Sequence, residues 1–177
     1  MILILRKLTS ALALIAILLL CNNSASAQES DYTVHANIIY RFTKYVKWPD
    51  ENKSGDFIIG IAGDSPVEEE LKTLISNKTV GNRKIVIRKV FASGATLNCH
   101  ILFVSEDASS NIKKWIARMA NIPVLIVTES EGMARKGSCI NFVIINDRLK
   151  LEINKTNIEQ RKLGIATELL SLGKVVK

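Results

Sequence analysis

Three features of this 177-residue sequence predict an α/β fold, with a mostly parallel sheet flanked by helices and closed by an antiparallel hairpin. Two continuous apolar runs, CHILFVS (99–105) and IPVLIVT (122–128), read as strands covered on both faces, as parallel strands are. Between them, DASSNIKKWIARMA places Ile112, Trp115, Ile116 and Met119 on one helical face, and a strand, helix, strand order implies a right-handed crossover. Farther on, SCINFVII and KLEIN flank NDRL, a turn-rich connection between short strands that predicts the hairpin.

Residues 1–27 read as an export leader. Arg6 and Lys7 give a positive start, Leu8 to Leu20 an apolar run, and SASAQES the small-x-small pattern with cleavage expected after Ala27. The run is short for a span of ~20 residues, and Leu20 stands where lipid attachment at Cys21 would need a small residue. Residues 28–177 then form one domain, free of linker-like tracts and repeats and large enough to bury roughly 68–70% of its unfolded surface. Losing the leader turns 24 basic and 17 acidic side chains into 22 and 17, a net charge of +5. Export to the periplasm removes nucleic acid as a partner. The charge then suits an anionic envelope surface, an acidic protein, or simply solubility.

In the first helix, expected from Tyr32 to Val46, Val34, Ile38, Phe42, Tyr45 and Val46 recur at helical spacing with Ile39 alongside. Pro49 disfavours helix at Trp48, so the chain should turn there. YRFTKYVKWP (40–49) interleaves basic and aromatic residues, but the spacing assigns Phe42, Tyr45 and Val46 to the core. Trp48 either pins the helix end to the sheet or frames a binding surface, and pinning is the expectation. DFIIGIAG reads as a buried strand. In DSPVEEELKTLIS, Asp64 or Ser65 is the expected N-cap, Pro66 opens the helix, and three glutamates favour its positive end. RKIVIRKV (83–90) alternates as a strand with one exposed face. The C-terminal TNIEQRKLGIATELLSLGKVV predicts a helix, a break at Leu163-Gly164, and a second amphipathic segment through Ile165, Leu169, Leu172 and Val176.

Catalytic patterns are sparse. No G-x-S-x-G occurs, and His35 and His100 read as satisfied or solvent-facing. Cys99 and His100 point to opposite faces as successive strand residues, so no metal or other cofactor is expected. GIAGDSP (60–66) lies where a strand meets a helix N-terminus, a place that can cradle an anion. It lacks the dinucleotide spacing, however, and Asp64 would oppose a phosphate. Glu68, Glu69 and Glu70 fan around a helix, and Glu152 alternates with core-facing Leu151 and Ile153 as an outward strand charge. Cys99 and Cys139 can pair, closing a loop of about 40 residues worth roughly 4 kcal/mol, or equally be small buried core residues.

VHANIIYRFTKYVKWP (34–49), FIIGIAGDSPVEEEL (57–71), GNRKIVIRKV (81–90), CHILFVS (99–105), PVLIVTESEGMARKGSCINFVI (123–144), LKLEIN (149–154) and LGIATELLSLGKVV (163–176) together resemble the YfiR family of exported bacterial proteins. KWP after the first helix, G-x-x-I-N-F and x-E-I-N are the more specific marks. The resemblance implies a periplasmic Rossmann-like α/β domain, often dimeric and without known catalysis. It also implies a regulator that binds the periplasmic sensor domain of a membrane diguanylate cyclase and represses it, lowering cyclic di-GMP and biofilm formation. A histidine kinase is the alternative target. The expected contact surface comprises Glu152, Asn154, Leu163, Gly164 and Trp48. A second expectation is a module binding a small molecule or cell-wall fragment, with Phe42, Trp48, Gly60, Gly63 and Asp64 lining its pocket.

Overall fold

The computed structural model describes residues 32–50, 54–93, 98–120 and 122–177; the leader expected over residues 1–27 lies outside them. Helix α1 (Tyr32–Tyr45) leads through a two-residue strand β1 (Val46–Lys47) into β2 (Phe57–Ala62) and α2 (Val67–Ile75). Strands β3 (Thr79–Val80), β4 (Arg83–Val90) and β5 (Ile101–Val104), helix α3 (Ile112–Arg118) and strand β6 (Leu125–Thr128) follow. The chain closes with β7 (Ile140–Ile145), β8 (Arg148–Asn154), α4 (Lys155–Gln160), β9 (Gly164–Ile165), α5 (Thr167–Ser171) and β10 (Lys174–Val176).

The main sheet runs in the order β10-β8-β7-β6-β5-β2-β4-β3. Strands β4, β2, β5, β6 and β7 are mutually parallel, and β7-β8 is the antiparallel hairpin. This is the mixed α/β architecture expected. Its inner strands β5 and β6 are buried at every position, because helices cover both faces. From β2 the chain steps outward to β4, and from β5 it steps the other way to β6. Right-handed crossovers in opposite directions put α2 and α3 on opposite faces. Helix α1 packs along α2, and its Phe42 and His35 meet Phe142 of β7, so residues 140, 142, 151 and 153 face α1 while Asn141 and Glu152 face away.

Helix α1 ends at Tyr45, within a residue of the expected end near Val46, and Val46 and Lys47 pair antiparallel with Ile165 and Gly164. The hairpin does not end the sheet: the C-terminal segment expected as one amphipathic stretch divides into β9, the short α5 and β10, which adds in parallel outside β8. Cys99 and Cys139 are free and buried. Cys139 N–H bonds to Ile126 of β6, whereas the Cys99 sulfur packs at Gly60 of β2. Two strand spacings, roughly 10 Å, separate β7 from β5, beyond the ~7 Å a bridged Cα pair tolerates. Both cysteines are core residues.

Candidate functional site

In open α/β sheets, ligands usually bind beyond the strand C-termini, where the chain order reverses. Here that point lies between β2 and β5, over Gly63-Asp64 and Ser105–Asp107. The protein fills it with its own anion. Both carboxylate oxygens of Asp107 accept the Asp64 N–H at 3.2 Å, and the Ser105 hydroxyl donates to Asp107 Oδ1. These bonds hold the Asp107 carboxyl below its ordinary range, the Ser105 hydroxyl contributing most. Gly63, at φ +81°, has no room for a Cβ beside Ser105, Asp107 and Ala108. Asp64 pairs with Lys89 at 2.7 Å, and Ser65, not Asp64, accepts the first helical N–H, from Val67. Next to this plug Glu129 accepts the Glu106 N–H at 3.1 Å. Burial, helped by the charges of Glu106 and Asp107, pushes its carboxyl up to about 7.

The opposite end of the sheet is open. Trp48 follows β1 and is 8% exposed. Its Nε1–H donates to the His100 carbonyl at 3.0 Å, and its ring meets Phe57 edge-on at 5.1 Å. The Arg83 guanidinium lies 5.0 Å over the other end of this cluster, at the Phe57 ring. His100 Nδ1 lies 3.0 Å from the Ile58 backbone nitrogen, which ties the ring to β2. A groove of about 770 Å³ runs past Trp48, with Val46 and Lys47 on one wall and Val80 to Arg83 on the other. Its neighbour is the Leu163-Gly164 corner, where Lys162 at φ +58° ends α4 in the left-handed turn that glycine usually supplies. The Gly164 Cα register falls on Lys47. A Cβ at Gly164 would stand 3.3 Å from that of Lys47, so a small residue allows the two short strands to close.

The two short motifs singled out in the sequence meet across β7 and β8. Asn141 stands opposite Glu152 and donates to its Oε2 at 3.3 Å, while its own Oδ1 accepts the Thr128 hydroxyl at 2.6 Å. Thr128 Oγ1 also lies 3.0 Å from the Ser138 hydroxyl. A buried polar row thus ends on the half-buried Glu152 carboxylate, which is no isolated strand charge. Asn154 is spent internally: it caps α4 by accepting the Asn157 N–H at 3.0 Å and donates to the Ala134 carbonyl.

Of the expected contact residues, then, Trp48, Leu163 and Gly164 come together at one corner. Gly164 is exposed there, whereas Trp48 and Leu163 are buried; Glu152 lies on the face turned away from α1, and Asn154 is buried and bonded to Ala134 and Asn157. The alternative pocket residues do not converge. Phe42 is in the core with no exposed surface, Gly60 is mid-strand, and Gly63 and Asp64 lie at the opposite end of β2 from Trp48. Sequence reasoning missed Arg83, Asp107, Glu129 and Arg161, each of which sits in a string that reads as ordinary solvated charge. Asn141 had a legible signal, a lone amide inside the apolar run SCINFVII.

These residues belong to a mixed α/β domain whose conspicuous side chains serve packing and capping, with exposed Lys47 and Gly164 at one end of the sheet. The chain belongs to the YfiR/HmsC-like family, whose sequence profile matches residues 32–174. That family is regulatory and non-catalytic, periplasmic in location, and associated with membrane signalling proteins. No curated protein matches the chain.

Proposed function

We propose that this protein is a periplasmic regulator that binds the sensor domain of an inner-membrane signalling protein and represses it, a diguanylate cyclase being the first target and a histidine kinase the alternative. Family membership carries this reading. The corner supports it by exposing Lys47, a cation suited to an acidic partner, and Gly164 beside the buried Trp48 and Leu163. The mechanism is a population shift. Driving an active receptor from 1:99 to 99:1 inactive takes about 5.5 kcal/mol of differential binding, within the reach of an ordinary interface. Deleting the gene is expected to raise cyclic di-GMP and biofilm mass. Unchanged levels, with no membrane sensor co-purifying with the tagged protein, would sink the cyclase reading.

The groove beside Trp48 favours a second reading, a binding module for a small molecule or cell-wall fragment. At about 770 Å³ it falls within the ~300–1,000 Å³ range of ligand sites. Native mass spectrometry of protein purified from the envelope is expected to show a bound species in that case, and only apo protein would count against it. The readings are compatible, because a ligand at this corner would compete with or favour the partner.

A further inference from the structure

A separate cleft of about 310 Å³ opens between α3 and α4, with Ile116, Ala117 and Ala120 on one side and Arg161 on the other. It lies on the sheet face opposite α1 and so is distinct from the Trp48 corner. Arg161 is only 9% exposed. One of its nitrogens donates to the Met119 carbonyl at 2.8 Å, closing the C-terminal end of α3, and the Cys139 thiol is its other partner. Among the described residues, no carboxylate pairs with it.

A guanidinium carries five N–H donors and keeps its charge. A carbonyl and a thiol engage only part of that fork. Arg161 also lines the cleft, so the rest of its fork is within reach of a group bound there. Bonding to a helix-end carbonyl accounts for some of the burial, but a buried charge without a counter-charge is unfavourable. We propose that this cleft binds a small aliphatic carboxylate, its oxygens held by Arg161 and its short chain lying on Ile116, Ala117 and Ala120. Planar two-point pairing is what a lone guanidinium offers a carboxylate. A phosphate would find no second cation on these walls, and the Asn157 amide nitrogen is already committed to the Ala134 and Ser138 carbonyls. Gly137, at φ +117° and tight against Ile116, keeps its part of the wall clear of side chain.

The test is a nitrogen-15 NMR titration of the mature chain with sodium butyrate, with butyramide as the neutral isostere, and with inorganic phosphate. Butyrate is expected to give saturable shifts at the Ile116–Ala120 and Arg161 amides, with butyramide and phosphate weaker by about tenfold or more. Arg161→Gln should weaken butyrate binding by a similar factor. Ala117→Phe leaves the bonds of Arg161 intact and fills the cleft. It should abolish the shifts, and it decides the matter alone if the arginine variant fails to fold. No saturable shift, butyramide or phosphate binding as tightly as butyrate, or butyrate binding that survives Ala117→Phe would each overturn the assignment.

Discussion

Glu129 gives the domain a pH dependence whose sign and size follow from its surroundings. Its carboxyl is pushed from an ordinary 4.5 up to about 7, first by burial and then by the nearby charges of Glu106 and Asp107. The folded state therefore holds the proton more tightly than the unfolded chain. The resulting stability is fully present below about pH 4.5 and is lost as pH rises through about 7. At 1.36 kcal/mol per unit the ceiling is about 3 kcal/mol, and partial solvent access reduces it to about 2. At about 2–4 °C per kcal/mol for a domain of this size, the corresponding loss in Tm between pH 5 and pH 8 is about 4–8 °C. Glu129→Gln keeps an oxygen to accept the Glu106 N–H but carries no charge. It is expected to melt higher than the wild type at pH 8, with the two converging near pH 5. Comparing the pair by calorimetry cancels the titration of His35 and His100, which the unfolded chain undergoes over the same window. A Glu129→Gln protein with the wild-type pH slope would refute the assignment.

Three further outcomes follow from the geometry. Trp48→Phe keeps the ring contact with Phe57 but loses the buried bond to His100, so urea denaturation should show a loss of roughly 1–2 kcal/mol; a neutral result would mean that the indole N–H does not pin the helix end. Asn154→Ala removes the α4 cap and a bond to Ala134 and should cost about 1–2 kcal/mol, read from the urea midpoint; full stability would release Asn154 for a role at the surface. Burial pushes the Cys99 and Cys139 thiols up to about 12 and about 11, so protein comprising residues 28–177 should resist alkylation when native and take up two adducts when denatured, without prior reduction. A mature chain that gains two mass units only after reduction would contradict the separation of β5 from β7.

The parallel centre of the fold was legible because it rests on local signals that the tertiary structure does not oppose. CHILFVS and IPVLIVT have no polar face to misread, and NDRL supplies Asn146 and Asp147, the two positive-φ residues of the hairpin turn. The C-terminus was less legible. KVV is too short to declare itself a strand, and it becomes one only because β8 offers an unpaired edge. The site divides similarly. Trp48 was expected to pin the helix, and its indole bonds to the His100 carbonyl and packs on Phe57, since a Pro-terminated helix must place its next bulky residue somewhere. Asn154 looked like a surface amide, yet its role depends on the loop at Ala134, twenty residues away in sequence, which no local pattern reveals. Asp107 filling the switch point escaped for the same reason: its partner, the Asp64 N–H, is brought to it only by the adjacency of β2 and β5.

Site-specific photo-crosslinking in living cells tests the proposed regulator most directly. A photoreactive side chain is placed singly at Lys47, which is exposed beside the Trp48 corner, and at Lys113, which is exposed on α3 across the sheet. The expected result is a covalent adduct from position 47 with an inner-membrane protein that carries a periplasmic sensor domain and a cytoplasmic signalling domain, and none from position 113. Adducts from position 113 alone, or none with any membrane protein at either position, would contradict a regulator that works through the Trp48 corner.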